Sequence, residues 1–213
     1  MNPGSDAVMV FLVDDEASVT DGLTWLLESV KIPSRAFASA SGFLQAIQDF
    51  SGPACAVVDL RMPEMSGLEL QQQLIAEGID CPLVFLTAHG DVPAAVNAIQ
   101  AGAVDFVQKP FNPDAFLTSV RKAIRLARER RQNQDFHKDV RQRLEHLSAR
   151  ERDVLQGLVE GLTSKEIARR LGISPKTVDV HRANVIRKMG TERSAELLQL
   201  LGRQRDVFVE SKR

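Results

Sequence analysis

Asp14, Asp15, Asp59, Thr87 and Lys109 each follow or close a short apolar run. The runs read VMVFLV before Asp14, ACAVV before Asp59, PLVFL before Thr87 and VDFVQ before Lys109. Carboxylates packed together repel, so one of them must titrate upward or something positive must sit between them. Three such groups want a hard cation with oxygen ligands, and Mg²⁺ is the expected one. A hydroxyl and an ammonium at the same rim complete the parts of a phosphoryl-transfer site. One carboxylate would then be the nucleophile and form an aspartyl phosphate. Taken singly, each residue also suits a solvated loop or a strand end; the combination carries the reading.

These residues converge only if the runs are neighbouring strands. The runs VMVFLV, SRAFA, ACAVVDL, PLVFLTA and VDFVQ alternate with helix-period segments at 18–29, 41–49, 66–76 and 91–101, and a last helix begins near Asp114. SGLE at Ser66–Glu69 is a capping box after Pro63, and Asp91 is the expected cap of the next helix. Five strand–helix units imply an α/β doubly wound, five-stranded parallel sheet covered on both faces. The short second run suits an edge strand, which gives the order 2-1-3-4-5. In such sheets ligands bind beyond the carboxyl ends, at the switch point between the first and third strands. Asp14 and Asp15 end the first strand and Asp59 the third.

The pattern VDDE…VVDLRMPEMSGLEL…LTAHGDV…AGAVDFVQKPF resembles the receiver domain of two-component response regulators, over about residues 7 to 128. The resemblance implies that Asp59 is the phosphoacceptor. It makes Asp15 a direct Mg²⁺ ligand, Asp14 one that acts largely through water, and the backbone carbonyl of Arg61 a further ligand. Thr87 and Lys109 would hold the phosphoryl oxygens. Phe106 occupies the aromatic switch position, where a Phe can report only through packing because it lacks a hydroxyl. Lys109–Pro110 is the family's usual cis bond, and X-Pro is where cis is cheap.

Charge divides the chain. Residues 1–127 hold 15 acids and 7 bases, net −8, and 128–213 hold 13 acids and 20 bases, net +7. The basic half is expected to face something anionic, such as nucleic acid. Between Asp114 and Glu145 there is no Gly or Pro. Phe116, Val120, Ile124 and Ala127 repeat at helical spacing, and Phe136, Val140 and Leu144 resume it after the polar stretch RLARERRQNQD. A helical linker over 129–146 is expected; a flexible charged tether is the alternative. Beyond it, SARE at Ser148–Glu151 and TSKE at Thr163–Glu166 are capping boxes, and Ser174–Pro175 opens a third helix. Gly161, Gly172 and Gly190 end the three helices.

LSARERDVLQGLVEGLTSKEIARRLGISPKTVDVHRANVIRKMG resembles the LuxR-type DNA-binding domain, and with the receiver it resembles the NarL/FixJ class of response regulators. The resemblance makes 174–189 the recognition helix, 164–171 its support and 194–204 a pairing helix. At 100° per residue, Val178, Val185 and Met189 face inward. Lys176, Val180, Ala183 and Arg187 face outward, with Asp179 and Asn184 on the flanks; Thr177 joins them as a DNA contact. Relatives often carry Lys at the positions of Asp179 and Ala183, so the DNA sequence read by this chain is expected to differ. Asp179 needs a basic partner to sit near phosphates. Arg182 pairs with an acid or snorkels to a phosphate. His181 is a helix–helix contact rather than a base reader.

The expected organisation is a receiver at 1–128, a helical linker at 129–146 and a small all-α helix-turn-helix domain at 147–213. The expected function is a cytoplasmic transcription regulator that accepts a phosphoryl group from a sensor histidine kinase, dimerises, binds promoter DNA and works with RNA polymerase. No apolar run is long enough to span a membrane and no leader is evident. Cys55 and Cys81 lack metal-ligand spacing and read as reduced core residues. An aspartyl-phosphate phosphatase is the enzymatic rival, but that chemistry favours D-x-D after the first strand, whereas here the acids are adjacent. A degenerate receiver acting only as an interaction module conflicts with the intact Asp15, Asp59, Thr87 and Lys109.

Overall fold

The computed structural model describes residues 7–87, 96 and 98–202. The chain forms two compact units, Met1–Gln132 and Asn133–Arg213.

The first unit runs β1 (Met9–Val13), α1 (Ala17–Ser29), β2 (Ser34–Phe37), α2 (Ala40–Gln48), β3 (Ala54–Asp59), α3 (Gly67–Ala76), β4 (Leu83–Thr87) and β5 (Asp105–Gln108), and then enters α4 (Pro113–Glu145). The sheet order is β2-β1-β3-β4-β5 and the described ladders are all parallel. Of the helix expected over 91–101, the described residues 96 and 98–100 are helical. Its expected cap, Asp91, lies outside the described residues.

Every residue of β3 and β4 is buried, whereas β2 is partly exposed along its length, as an edge strand is. Period-2 alternation sends Phe11, Val13, Ala56, Val58 and Phe85 to one face, against Phe43, Leu70 and Leu74. Val10, Leu12, Val57, Val84 and Leu86 go to the other, against Leu23, Leu27, Phe116 and Val120. Each Val, Leu or Phe side chain among them contributes about 1.5–3 kcal/mol on burial. The register brings the polar strand ends together. Val13 pairs with Val58, so Asp14 stands beside Asp59; Asp59 pairs with Leu86 and Thr87 with Gln108, so Thr87 and Lys109 complete the same rim.

The second unit holds the end of α4, then α5 (Ala149–Val159), α6 (Ser164–Leu171), α7 (Pro175–Lys188) and α8 (Ser194–Gly202). Ser148, Thr163 and Ser174 cap α5, α6 and α7, the first two as full capping boxes. Gly172 ends α6 at φ +67°, a left-handed turn that Gly adopts without strain. That turn lets α7 cross α6 over a core of Val154, Leu155, Ile167, Val178, Val185 and Met189. Phe136, Val140 and Leu144 of α4 pack into this same core. The segment expected as a linker is therefore helical through Glu145, and its later half is part of the second unit's interior. The helix expected over 194–204 is described to Gly202, with Leu197 and Leu201 inward and Leu198 exposed.

Candidate functional site

The acidic rim of the first unit is built around Lys109. Its Nζ lies 2.7 Å from Asp14 Oδ2 and 2.7 Å from Asp59 Oδ1. The remaining oxygen of each carboxylate accepts a backbone N–H: Asp14 Oδ1 from Glu16 at 3.0 Å, and Asp59 Oδ2 from Arg61 at 2.7 Å. Asp14 and Asp59 are buried, and such groups persist only when paired and hydrogen-bonded. Burial by itself pulls the Lys109 pKa down, but the hydrogen bonds from Nζ to Asp14 and Asp59 outweigh it, and the net shift is upward. Lys109 is thus held as an ammonium, two carboxylates facing one cation.

Asp15, next to Asp14 in the chain, is exposed. Thr87 is buried at the end of β4, and its carbonyl accepts the Lys109 N–H at 2.7 Å. Phe106 is 42% exposed at the β5 edge. The peptide bond Lys109–Pro110 is cis. Cys55 and Cys81 are free and buried, and burial pushes the Cys55 thiol up to about 12.

Two features of this unit were not expected from the sequence. Asp105 accepts hydrogen bonds from Ser119 at 2.9 Å and Lys122 at 2.8 Å, so the β5 edge is tied to α4. Gly67, the first residue of α3, donates its N–H to the Leu60 carbonyl, and a Cβ there would lie 2.5 Å from the Asp59 carbonyl oxygen. The available signal was a Gly between a capping Ser and a helical run, where helix formation alone does not require one.

In the second unit α7 presents the expected faces. Val178, Val185 and Met189 are fully buried; Lys176, Thr177, Asp179, Val180, Ala183 and Arg187 are exposed, and Asn184 is half-buried. Asp179 Oδ1 accepts from the Ser164 hydroxyl at 2.8 Å. Arg187 Nη2 donates to Asn184 Oδ1 at 3.1 Å. Arg182 Nε donates to Ser194 Oγ at 3.0 Å, a contact to α8 rather than to an acid. His181 is half-buried. The net result is an apolar tip, Val180, flanked by polar groups already oriented by neighbours.

The C-terminal end of α7 rests on an ion pair whose carboxylate is buried and whose ammonium is exposed. Lys188 Nζ lies 2.7 Å from Glu151 Oε2, and Glu151 is 4% exposed. The Lys188 hydrogen bond, followed by the Ser148 backbone N–H, holds the Glu151 carboxyl down at about 2. A carboxyl depressed in the folded state stabilises above its ordinary value of 4.5, and the contribution is lost as pH falls toward 2. Glu151→Gln is therefore expected to remove part of the acid sensitivity between those values, read as thermal unfolding of wild type and variant across pH. Superimposable pH profiles would refute the role of this pair.

Two family profiles match the chain. One is described as response regulator receiver domain and spans residues 10–121; the other as bacterial regulatory proteins, luxR family, and spans 145–201. The chain is 44% identical to the transcriptional regulatory protein TdiR of Thauera aromatica, over 93% of this chain and 87% of that one. It is 40% identical to the transcriptional regulatory protein FixJ of Bradyrhizobium diazoefficiens, over 90% and 93%. Among solved structures it is similar to the response regulator StyR, with TM-score 0.82, 41% identity and coverage of 92% and 99%. Full-length FixJ from B. japonicum also matches, with TM-score 0.57, 40% identity and coverage of 92% and 96%. With both profiles in register with the two units, the chain belongs to the two-component response regulators of the NarL/FixJ class, transcriptional regulators that join a receiver domain to a LuxR-type helix-turn-helix domain.

Proposed function

We propose that a sensor histidine kinase transfers a phosphoryl group to Asp59 and that α7 then reads promoter DNA. The observation that carries the first half is the Lys109 ammonium 2.7 Å from both Asp14 and Asp59 at the carboxyl ends of the sheet. An Asp59 carboxylate oxygen attacks phosphorus, the bond from phosphorus to the donor's imidazole nitrogen breaks, and its electron pair stays on the imidazole. Lys109 and the Thr87 hydroxyl receive the phosphoryl oxygens. Mg²⁺ suits the donor set, which is all oxygen: the Asp14, Asp15 and Asp59 carboxylates and the Arg61 carbonyl. When bound it neutralises charge on the transferring group. In this reading the protein is an acceptor and not an enzyme, its functional division is 1–128, 129–146 and 147–213, and RNA polymerase is a further partner. No helix of the described residues is long and apolar enough to cross a membrane, and we place the protein in the cytoplasm.

Phosphorylation is proposed to promote dimerisation through the face of 91–101 and 104–107. Val96, Ile99 and Phe106 are each exposed on the described part of that face, and Val96, Gln100 and Asp105 are the positions to alter. Sedimentation with beryllofluoride, a phosphoryl mimic, is expected to show a dimer; a monomer at every concentration with and without it contradicts the proposal.

DNA reading is proposed to rest on the outward face of α7 in a major groove. Lys176 and Arg187 suit phosphates, and Arg187 also suits a guanine; Val180 suits a thymine methyl, Asp179 a cytosine amine and Asn184 an adenine. Thr177 and Ala183 complete the face. As a pair of domains, the protein is expected to select an inverted repeat with half-sites about one helical turn apart. Lys176→Ala is expected to weaken binding to every sequence and lower the salt slope by about one. Val180→Ala is expected to relax one base pair, at about 1–3 kcal/mol. Selection from random DNA decides: an unchanged motif from the Val180 variant means this orientation of α7 is wrong.

A further inference from the structure

We propose that Arg143, on α4 and before the start of the luxR-family match at residue 145, is a positioning residue for DNA reading. This inference rests on the reading of α7 as the DNA-facing helix.

The carbonyls of a helix's last turn lack intrahelical partners and carry partial negative charge. On α7 the carbonyl of Met189, the capping residue, is met by a guanidinium: Arg143 Nη1 donates to it at 2.7 Å. The other arm of the fork, Nη2, lies 2.7 Å from Asp139 Oδ2, one turn back along α4. Asp139 thereby fixes the plane from which Arg143 reaches α7. A bond also runs the opposite way. Lys188 Nζ, on α7, donates to the carbonyl of His146 at 3.1 Å, just past the end of α4. A side chain from each partner therefore closes on a carbonyl of the other.

Gly190 leaves room for this contact. It stands at φ +68°, and a Cβ built on it would lie 2.3 Å from Arg143 Nη1. Any larger residue would compete with the guanidinium for the end of α7. Beneath the latch, Val140 is fully buried in the core that holds Val178, Val185 and Met189. The N-terminal end of α7 is fixed separately by the Ser174 cap and Pro175. Arg143, together with the Lys188–Glu151 pair, fixes the other end, where Asn184 and Arg187 approach a base edge or a phosphate. Losing it lets that end drift, so contacts that need exact placement suffer first, while non-specific attraction to the phosphate backbone depends on charge and tolerates drift.

The test uses the full chain and two DNA probes: the site that wild type selects from random DNA, and a scrambled duplex of the same length. Arg143→Ala is expected to weaken the selected site roughly tenfold, the size of one charge-assisted hydrogen bond. It is expected to leave the scrambled duplex and the salt slope unchanged. Arg143→Lys is expected to fall between, because one ammonium cannot hold both the Met189 carbonyl and Asp139. A merely structural role lowers Tm without changing the ratio of the two affinities. A direct phosphate contact lowers both affinities and cuts the salt slope by about one. Either pattern overturns the proposal, as does a wild-type ratio. If Arg143→Ala is unfolded at the assay temperature, Asp139→Asn replaces it and must lower the ratio in the same direction. If Val180→Ala changes the selected motif while the Arg143 variants keep the wild-type ratio, this inference alone fails. If neither position alters binding, the DNA-facing assignment of α7 fails and the inference with it.

Discussion

Asp59→Asn is expected to take up no phosphoryl group from acetyl phosphate and Mg²⁺, where wild type gains one, as read by intact mass. The effect is all or none because an amide oxygen at this position is not a nucleophile of comparable strength and leaves Lys109 with one carboxylate instead of two. The fold is expected to survive. Asn fits the volume of Asp, and its oxygen can keep the Lys109 contact or the Arg61 N–H. Removal of divalent cation by EDTA is expected to suppress uptake by wild type. Full labelling of the variant would mean that another residue is the acceptor.

Gly67→Ala is expected to damage the same site from outside it. The added methyl would lie 2.5 Å from the Asp59 carbonyl oxygen, 3.0 Å from Phe85 Cε1 and 3.2 Å from Leu60 Cα. Two of these three neighbours are backbone of the strand end that carries Asp59, so relief requires α3 or the end of β3 to move. Overpacking of this kind costs about 1–3 kcal/mol. Because the displaced backbone holds Asp59, phosphoryl uptake is expected to slow by more than the lost stability accounts for. Thermal unfolding and the rate of labelling, measured on one preparation, separate the two effects. A variant with wild-type Tm and wild-type labelling would show that α3 is free to shift at no consequence.

What the sequence made legible was mostly local. A capping box needs only four residues, and those at Ser66–Glu69, Ser148–Glu151 and Thr163–Glu166 form as read. The unbroken apolar runs of β3 and β4 and the short, partly exposed β2 were enough to order the sheet, because burial on two faces is written in composition. The charge arrangement was not local. Lys109 is 95 residues from Asp14 and 50 from Asp59, and no pattern along the chain says that its ammonium bridges the two carboxylates. The Ser164–Asp179 bond, 15 residues apart across the α6–α7 turn, is equally silent in sequence. Residues 136–144 show the limit most clearly. Their helical spacing was visible, but whether Phe136, Val140 and Leu144 faced solvent, another chain or the core of α5 to α8 depended on partners far along the chain.

The central claim is that phosphoryl acceptance at Asp59 controls DNA reading by α7. The most direct measurement is a binding titration on the duplex that wild type selects, with wild type and Asp59→Asn, each with and without acetyl phosphate and Mg²⁺. The expected result is that acetyl phosphate tightens binding by wild type and leaves the variant unchanged, at equal affinity of the two untreated proteins. A gain of the same size in Asp59→Asn, or wild-type binding indifferent to phosphorylation confirmed by intact mass, would contradict the account.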